Sequence, residues 1–155
     1  VYLRFGRPSV PNFTPADQPF VIGKAITMNE GCDVTIVATG HLVWPALQAA
    51  QILSQKGFSA EVIDIHTIKP LDEEAILSSA NKTRAVVTAE EHSCNGGLGD
   101  AVCQLLGRKL PTPVEMVAVN DKFGESGTSM QLMNEYHLNA DAIVESSLKA
   151  IARKN

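Results

Sequence analysis

The stretch EEHSCNGGLGDAV, residues 90–102, places two carboxylates, a histidine and a cysteine just ahead of three glycines and a helical pattern. Glu91, His92 and Cys94 carry metal-ligating atoms, but their spacing matches no strong zinc motif and leaves a fourth ligand unspecified. Cys94 with His92 as its base would form a nucleophile, yet no residue is placed to orient that base. Gly97-Leu98-Gly99 supplies the first half of a GxGxxG fingerprint. Its third glycine position holds Val102, and no acidic residue falls clearly at the end of the following strand. A GxxxxGK[ST] loop is absent from the sequence. Backbone N–H groups at this helix start suit an anion. Close approach of a helix to a strand accounts for the same glycines.

Other candidates are scattered. His41 follows Gly40 at the end of a β-branched run, where a hydrogen-bonded loop histidine is the ordinary outcome. In FGESGT (123–128), Gly124 and Gly127 frame Glu125 and Ser126 in a turn. Lys69-Pro70-Leu71-Asp72 reads as structural, with proline excluding helix before it and Asp72 capping the helix after it. Arg4 and Arg7 differ: their guanidinium forks suit phosphate geometry, with a plain surface pair as the alternative.

These residues need a frame. The 155 residues suffice for one domain with a substantial core. A net charge of −4 without any Lys/Arg block argues against nucleic acid, and no apolar run reaches the roughly 18 residues of a membrane span. Three cysteines without CxxC spacing point away from a disulfide framework, toward small buried hydrophobes and a cytoplasmic setting. The opening VYLRFGRPSVP has no initiating Met and no signal-peptide layout, so a fragment or processed product is expected.

Residues 1–20 hold Pro8, Pro11, Pro15 and Pro19 and read as an extended arm or interdomain linker. Residues 21–155 form the domain. Strands are expected within 21–31, 33–40, 60–68, 84–91 and 114–119. Helices are expected at 42–57, 71–80, 98–110, 128–135 and 140–153. Such alternation predicts an α/β fold: a three-layer, Rossmann-like open sandwich around a mostly parallel sheet of about five strands. Ligands of such sheets sit at the strand carboxyl ends, here residues 39–41, 65–72, 90–99 and 119–128.

Five segments in order resemble the C-terminal domain of the transketolase-type, thiamine diphosphate-dependent enzymes: VYLRFGR, GKAITMNEGCDVTIVATG, AEVIDIHTIKPLD, VVTAEEHSCNGGLGDAV and VNDKFGESGT. FGESGT looks most like transketolase, particularly the split bacterial and archaeal form. Deoxyxylulose phosphate synthase tends to carry histidine where Glu125-Ser126 stand. His41 replaces the small residue usual after TG in the family.

The resemblance implies an enzyme that moves a two-carbon ketol unit between sugar phosphates in the pentose phosphate pathway. Thiamine diphosphate and Mg2+ would be held by an N-terminal section and a pyrimidine-binding domain outside these residues. This chain is then expected to support assembly of a homodimer and to be inactive alone. It also implies that Arg7, or Arg4 if the register slips, contacts the sugar's terminal phosphate. Three alternatives accompany it: the synthase, a docking module of a 2-oxo acid dehydrogenase E1 β subunit, and a regulatory nucleotide-binding domain.

Overall fold

The structure is a computed structural model that describes residues 1–3, 6 and 9–154. From residue 26 onward the described residues form five strands and five helices, which alternate from Val34 to Glu135. They are β1 (Ile26–Asn29), β2 (Val34–Ala38), α1 (Val43–Gln55), β3 (Ala60–Asp64), α2 (Glu73–Thr83), β4 (Val86–Ser93), α3 (Leu98–Lys109), β5 (Val114–Val119), α4 (Ser129–Glu135) and α5 (Ala140–Ala152). A 3-10 turn, Gly40–Leu42, leads into α1.

The sheet runs β1-β3-β2-β4-β5. All pairs are parallel except β1 with β3 at one edge. β2 lies in the middle, and all five of its residues are buried, as a β-branched strand covered on both faces requires. Alternation sorts its side chains. Val34, Ile36 and Ala38 pack with Ala46, Leu53 and Ile143 of α1 and α5, whereas Val37 packs with Ile76, Val102 and Leu105 of α2 and α3. Thr35 shares the second face, where its hydroxyl meets those of Ser79 and Thr83, each at 2.6 Å. The expected three-layer α/β sandwich is therefore what the chain forms.

Local chemistry fixes the ends of the elements. Asp72 accepts from the N–H of Ala75 and also from that of Ala25, joining the start of α2 to the approach to β1. Thr128 and Gln131 form a reciprocal capping box on α4, and Asn139 caps α5. Gly31 is required by proximity: a side chain there would run into the Ala60–Glu61 backbone at the start of β3.

Within the described part of residues 1–20 there is no helix or strand. This arm touches the domain at spaced points. Phe13 stacks on Trp44 of α1 at 6.0 Å, and Phe20 lies 4.3 Å from the His66 ring. Among the described residues no helix is long and apolar enough to cross a membrane.

Candidate functional site

β2 continues through α1 on one face, and its neighbour β4 continues through α3 on the other. The chain parts between them, so their carboxyl ends border the crevice in which open α/β sheets usually bind ligands. A groove of about 970 Å³ opens there. Gly6, His41, Glu91, His92, Lys122 and Tyr136 are among its lining residues. A second cavity, of about 530 Å³, sits near the opposite end of the sheet beside Asn81, Arg84 and Thr112. Thr112 spends its hydroxyl on the Leu110 carbonyl, and the strand-end groove is the better candidate.

Strand parity decides what each carboxylate of the EEH segment does. Val86 packs on the α3 side, with Thr88 and Glu90 beneath the start of that helix, while Val87 and Ala89 pack on the α1 side. Glu90 is therefore turned inward, only 2% exposed, and Glu91 outward. The carboxylate of Glu90 accepts from the N–H groups of Leu98 at 2.8 Å and Gly99 at 2.7 Å. These are the first donors of α3, whose N-cap residue Gly97 has no side chain to satisfy them.

The glycines of the GxG are explained by this arrangement. A Cβ on Gly97 would overlap the Glu90 carboxylate, and one on Gly99 would stand 2.7 Å from the sulfur of Met116. Close helix-to-strand approach is confirmed, with a buried acid as its further cause. The anion suited to this helix start is the chain's own Glu90. A diphosphate brought to the same N–H groups would meet that carboxylate, so these residues do not fit the cofactor's phosphates.

Glu91 reaches the other wall. Its Oε2 lies 2.5 Å from Nδ1 of His41, which Gly40 (φ +57°) turns over the end of β2. His92 points elsewhere, with Nδ1 2.8 Å from the Ser93 carbonyl. Cys94 is half-buried, and its own N–H donates to the Val119 carbonyl. Glu91, His92 and Cys94 do not converge on one point, and among the described residues no hydrogen bond joins Cys94 to His92. The expectation of buried cysteines is corrected at Cys32, which is exposed in the turn before β2, while Cys103 is half-buried in α3.

Asp64 at the end of a strand and Asp72 at a helix cap are among the shifted ionisable groups. Burial raises the pKa of Asp64 at the end of β3, against an opposing attraction from His66. Burial acts in the same direction on Asp72. There the N–H donors of Ala25 and Ala75 and the ammonium of Lys24 outweigh it, leaving the pKa below its ordinary value. Neither residue lines the groove. Glu125 and Ser126 are exposed on the loop between β5 and α4, whose Phe123 carbonyl accepts from the Tyr136 hydroxyl at 3.0 Å. Arg4 and Arg7 lie outside the described residues.

Sequence reasoning missed two things. One is the division of labour between Glu90 and Glu91, which the period of β4 would have shown had the strand been extended to Ser93. The other is the pairing of His41 with Glu91 across 50 positions of sequence, for which no local signal exists.

Comparison with known proteins places this geometry in a family. Residues 23–143 match the family model described as transketolase, C-terminal domain. The chain is 46% identical over its whole length to the 6-deoxy-6-sulfo-D-fructose transketolase subunit SqwH of Clostridium sp. (strain MSTE9), covering 48% of that subunit. It is 39% identical, over 84% of its length, to 1-deoxy-D-xylulose-5-phosphate synthase of Halothermothrix orenii (strain H 168 / OCM 544 / DSM 9562), covering 21% of that protein. Among solved structures, a split gene transketolase described as an inactive beta4 tetramer superposes with a TM-score of 0.93 at 45% identity. The match covers 96% of this chain and 49% of that one. The chain thus spans about half the length of the Clostridium subunit and about a fifth of the synthase.

Proposed function

The chain belongs to the transketolase C-terminal domain family, and from that premise we propose that it is the C-terminal domain of a split transketolase. In this reading the assembled protein transfers a two-carbon ketol unit between sugar phosphates in cytoplasmic pentose phosphate metabolism. Thiamine diphosphate, with Mg2+, supplies the carbanion chemistry when bound by the N-terminal section and the pyrimidine-binding domain. This chain contributes assembly of a homo-oligomer and is inactive alone.

One observation carries the reading: the strand-end crevice, where an autonomous enzyme of this fold would work, has its helix terminus filled by Glu90. A scaffold with that point closed fits a domain that serves a site built elsewhere. Its likeness to a split gene transketolase described as an inactive beta4 tetramer also supports inactivity of this half alone. Arg7, with Arg4 as the substitute, holds the sugar's terminal phosphate and so positions the substrate. The Clostridium relative is named for a sulfonated fructose, so a terminal sulfonate belongs in the same test.

The test is reconstitution. The chain alone is expected to show no ketol transfer, and the complete assembly to transfer ketol units from phosphorylated or sulfonated ketoses. Arg7→Ala in that assembly should raise KM for the donor with little change in kcat. Ketol transfer by the chain alone would refute the scaffold reading. Formation of 1-deoxy-D-xylulose 5-phosphate by the assembly would move the protein to the synthase, and recovery bound to an acyltransferase core would move it to the dehydrogenases.

A further inference from the structure

His41 lines the strand-end groove and stands between Glu91 and Gly6 of the N-terminal arm. The imidazole is held at one nitrogen: Nδ1 lies 2.5 Å from Glu91 at the end of β4. Its opposite edge faces the N-terminal arm, so close to Gly6 that a Cβ on that residue would overlap Nε2 and Cε1. Both anchors follow directly on the paired part of the central strands, which runs from Thr35 with Val86 to Ala38 with Ala89. The side chain of His41 is 26% exposed and that of Glu91 50% exposed, so the ring is a wall and its carboxylate a strut. Gly6 stands in the sequence between Arg4 and Arg7.

We propose that His41, held by Glu91, is a latch for the N-terminal arm, and that Gly6 is the residue it grips. The arm leaves the domain from Phe20, packed on His66, passes Phe13, packed on Trp44, and meets the His41 ring at Gly6. Three spaced contacts fix a proline-rich segment far better than one, since each bars the swinging that a single contact permits. The third contact, at Gly6, directly precedes Arg7 in the sequence. His41 and Glu91 are positioning residues: they act on substrate through the arm. The consequence for activity rests on the assignment of Arg7 under the proposed function. The grip on Gly6 does not.

A substitution cycle in the full-length assembled enzyme separates the two. Gly6→Ala places a methyl group where the imidazole stands. Amide exchange at Gln18, whose N–H donates to the Pro15 carbonyl within the arm, should quicken, and KM for a phosphorylated ketose should rise about tenfold, with kcat within about twofold. His41→Ala should loosen the arm as well, and Glu91→Ala should do the same by freeing the ring. The decisive comparison is the pair: in the His41→Ala background, adding Gly6→Ala should change neither exchange nor KM. If Gly6→Ala has no effect on arm exchange in the wild-type background, or the same effect in both, the latch is refuted. If arm exchange follows the cycle and KM does not, the latch stands and the phosphate role of Arg7 falls.

Discussion

Replacing Glu90 tests the central structural claim, that the start of α3 is neutralised from within. The carboxylate is 2% exposed and accepts from two backbone N–H groups, at 2.8 and 2.7 Å. Glu90→Ala leaves both donors buried without a partner, and each such loss costs about 1–3 kcal/mol. Two of them give about 4 kcal/mol; relief from burying a charge and entry of water reduce this to about 3 kcal/mol. For a chain of this size that is a fall in Tm of about 9 °C. Glu90→Gln keeps one acceptor oxygen but turns an amide N–H toward the second donor, so about 2 kcal/mol is expected.

Urea and thermal unfolding measure these losses. The sharper assay is rescue. Formate carries the missing carboxylate in a molecule small enough for the space left, and it should stabilise Glu90→Ala by about 1.4 kcal/mol near ten times its dissociation constant. It should do nothing comparable for the wild type, whose own carboxylate occupies the place. A loss below about 1 kcal/mol in Glu90→Ala would refute the reasoning, as would equal stabilisation of both proteins by formate.

Two further expectations concern titration. The folded-state pKa of Asp72 lies below its ordinary 3.8, so its contribution is present above that pH and is lost as pH falls through the folded value. Asp72→Asn should therefore weaken the protein at neutral pH and flatten its acid unfolding profile below about pH 4. Asp64 has the opposite sign: its raised pKa favours the fold at low pH, and the benefit disappears as pH climbs past 3.8 to the folded value. Asp64→Asn should cost nothing at neutral pH, and acid titrations with parallel slopes in the two variants would contradict both assignments. Among the cysteines, the exposed Cys32 should react first with a thiol reagent. Cys103, whose thiol pKa is pushed above 9.0 by burial and then by Asp100, should react slowest at pH 8. Mass spectrometry showing Cys103 labelled as fast as Cys32 would rule this out.

How much of this was legible depends on how local each cause is. Val34–Ala38 announced a strand buried on both faces, because β-branched residues without polar alternation have few other uses. Asp72 announced its helix in the same way, since a cap acts within three residues. β1 did not reveal its direction: Ile26–Asn29 has the composition of any edge strand, and its antiparallel pairing arises from where the chain enters the sheet. The resemblance to transketolase found the family because motifs in order survive where single contacts do not. It gave no account of His41, whose partners Glu91 and Gly6 lie on two distant segments.

The two acids at the end of β4 carry the functional argument further than either would alone. They are adjacent in sequence, so the pleat of the strand must send them to opposite faces. One then meets the positive end of α3 and removes it as a place for a ligand; the other meets His41, whose ring stands against Gly6 of the arm. A sheet of this kind usually exposes helix N-termini at its switch point for phosphates. Here that electrostatic advantage is used inside the domain, to seat α3 and close the sheet. Under the proposed function the phosphate-binding task falls instead to Arg7, with Arg4 as the substitute, in the N-terminal arm. If Glu90 could be exchanged for a neutral residue with full stability and the groove then bound phosphate, the division between a closed scaffold and a borrowed site would be the wrong description of this domain.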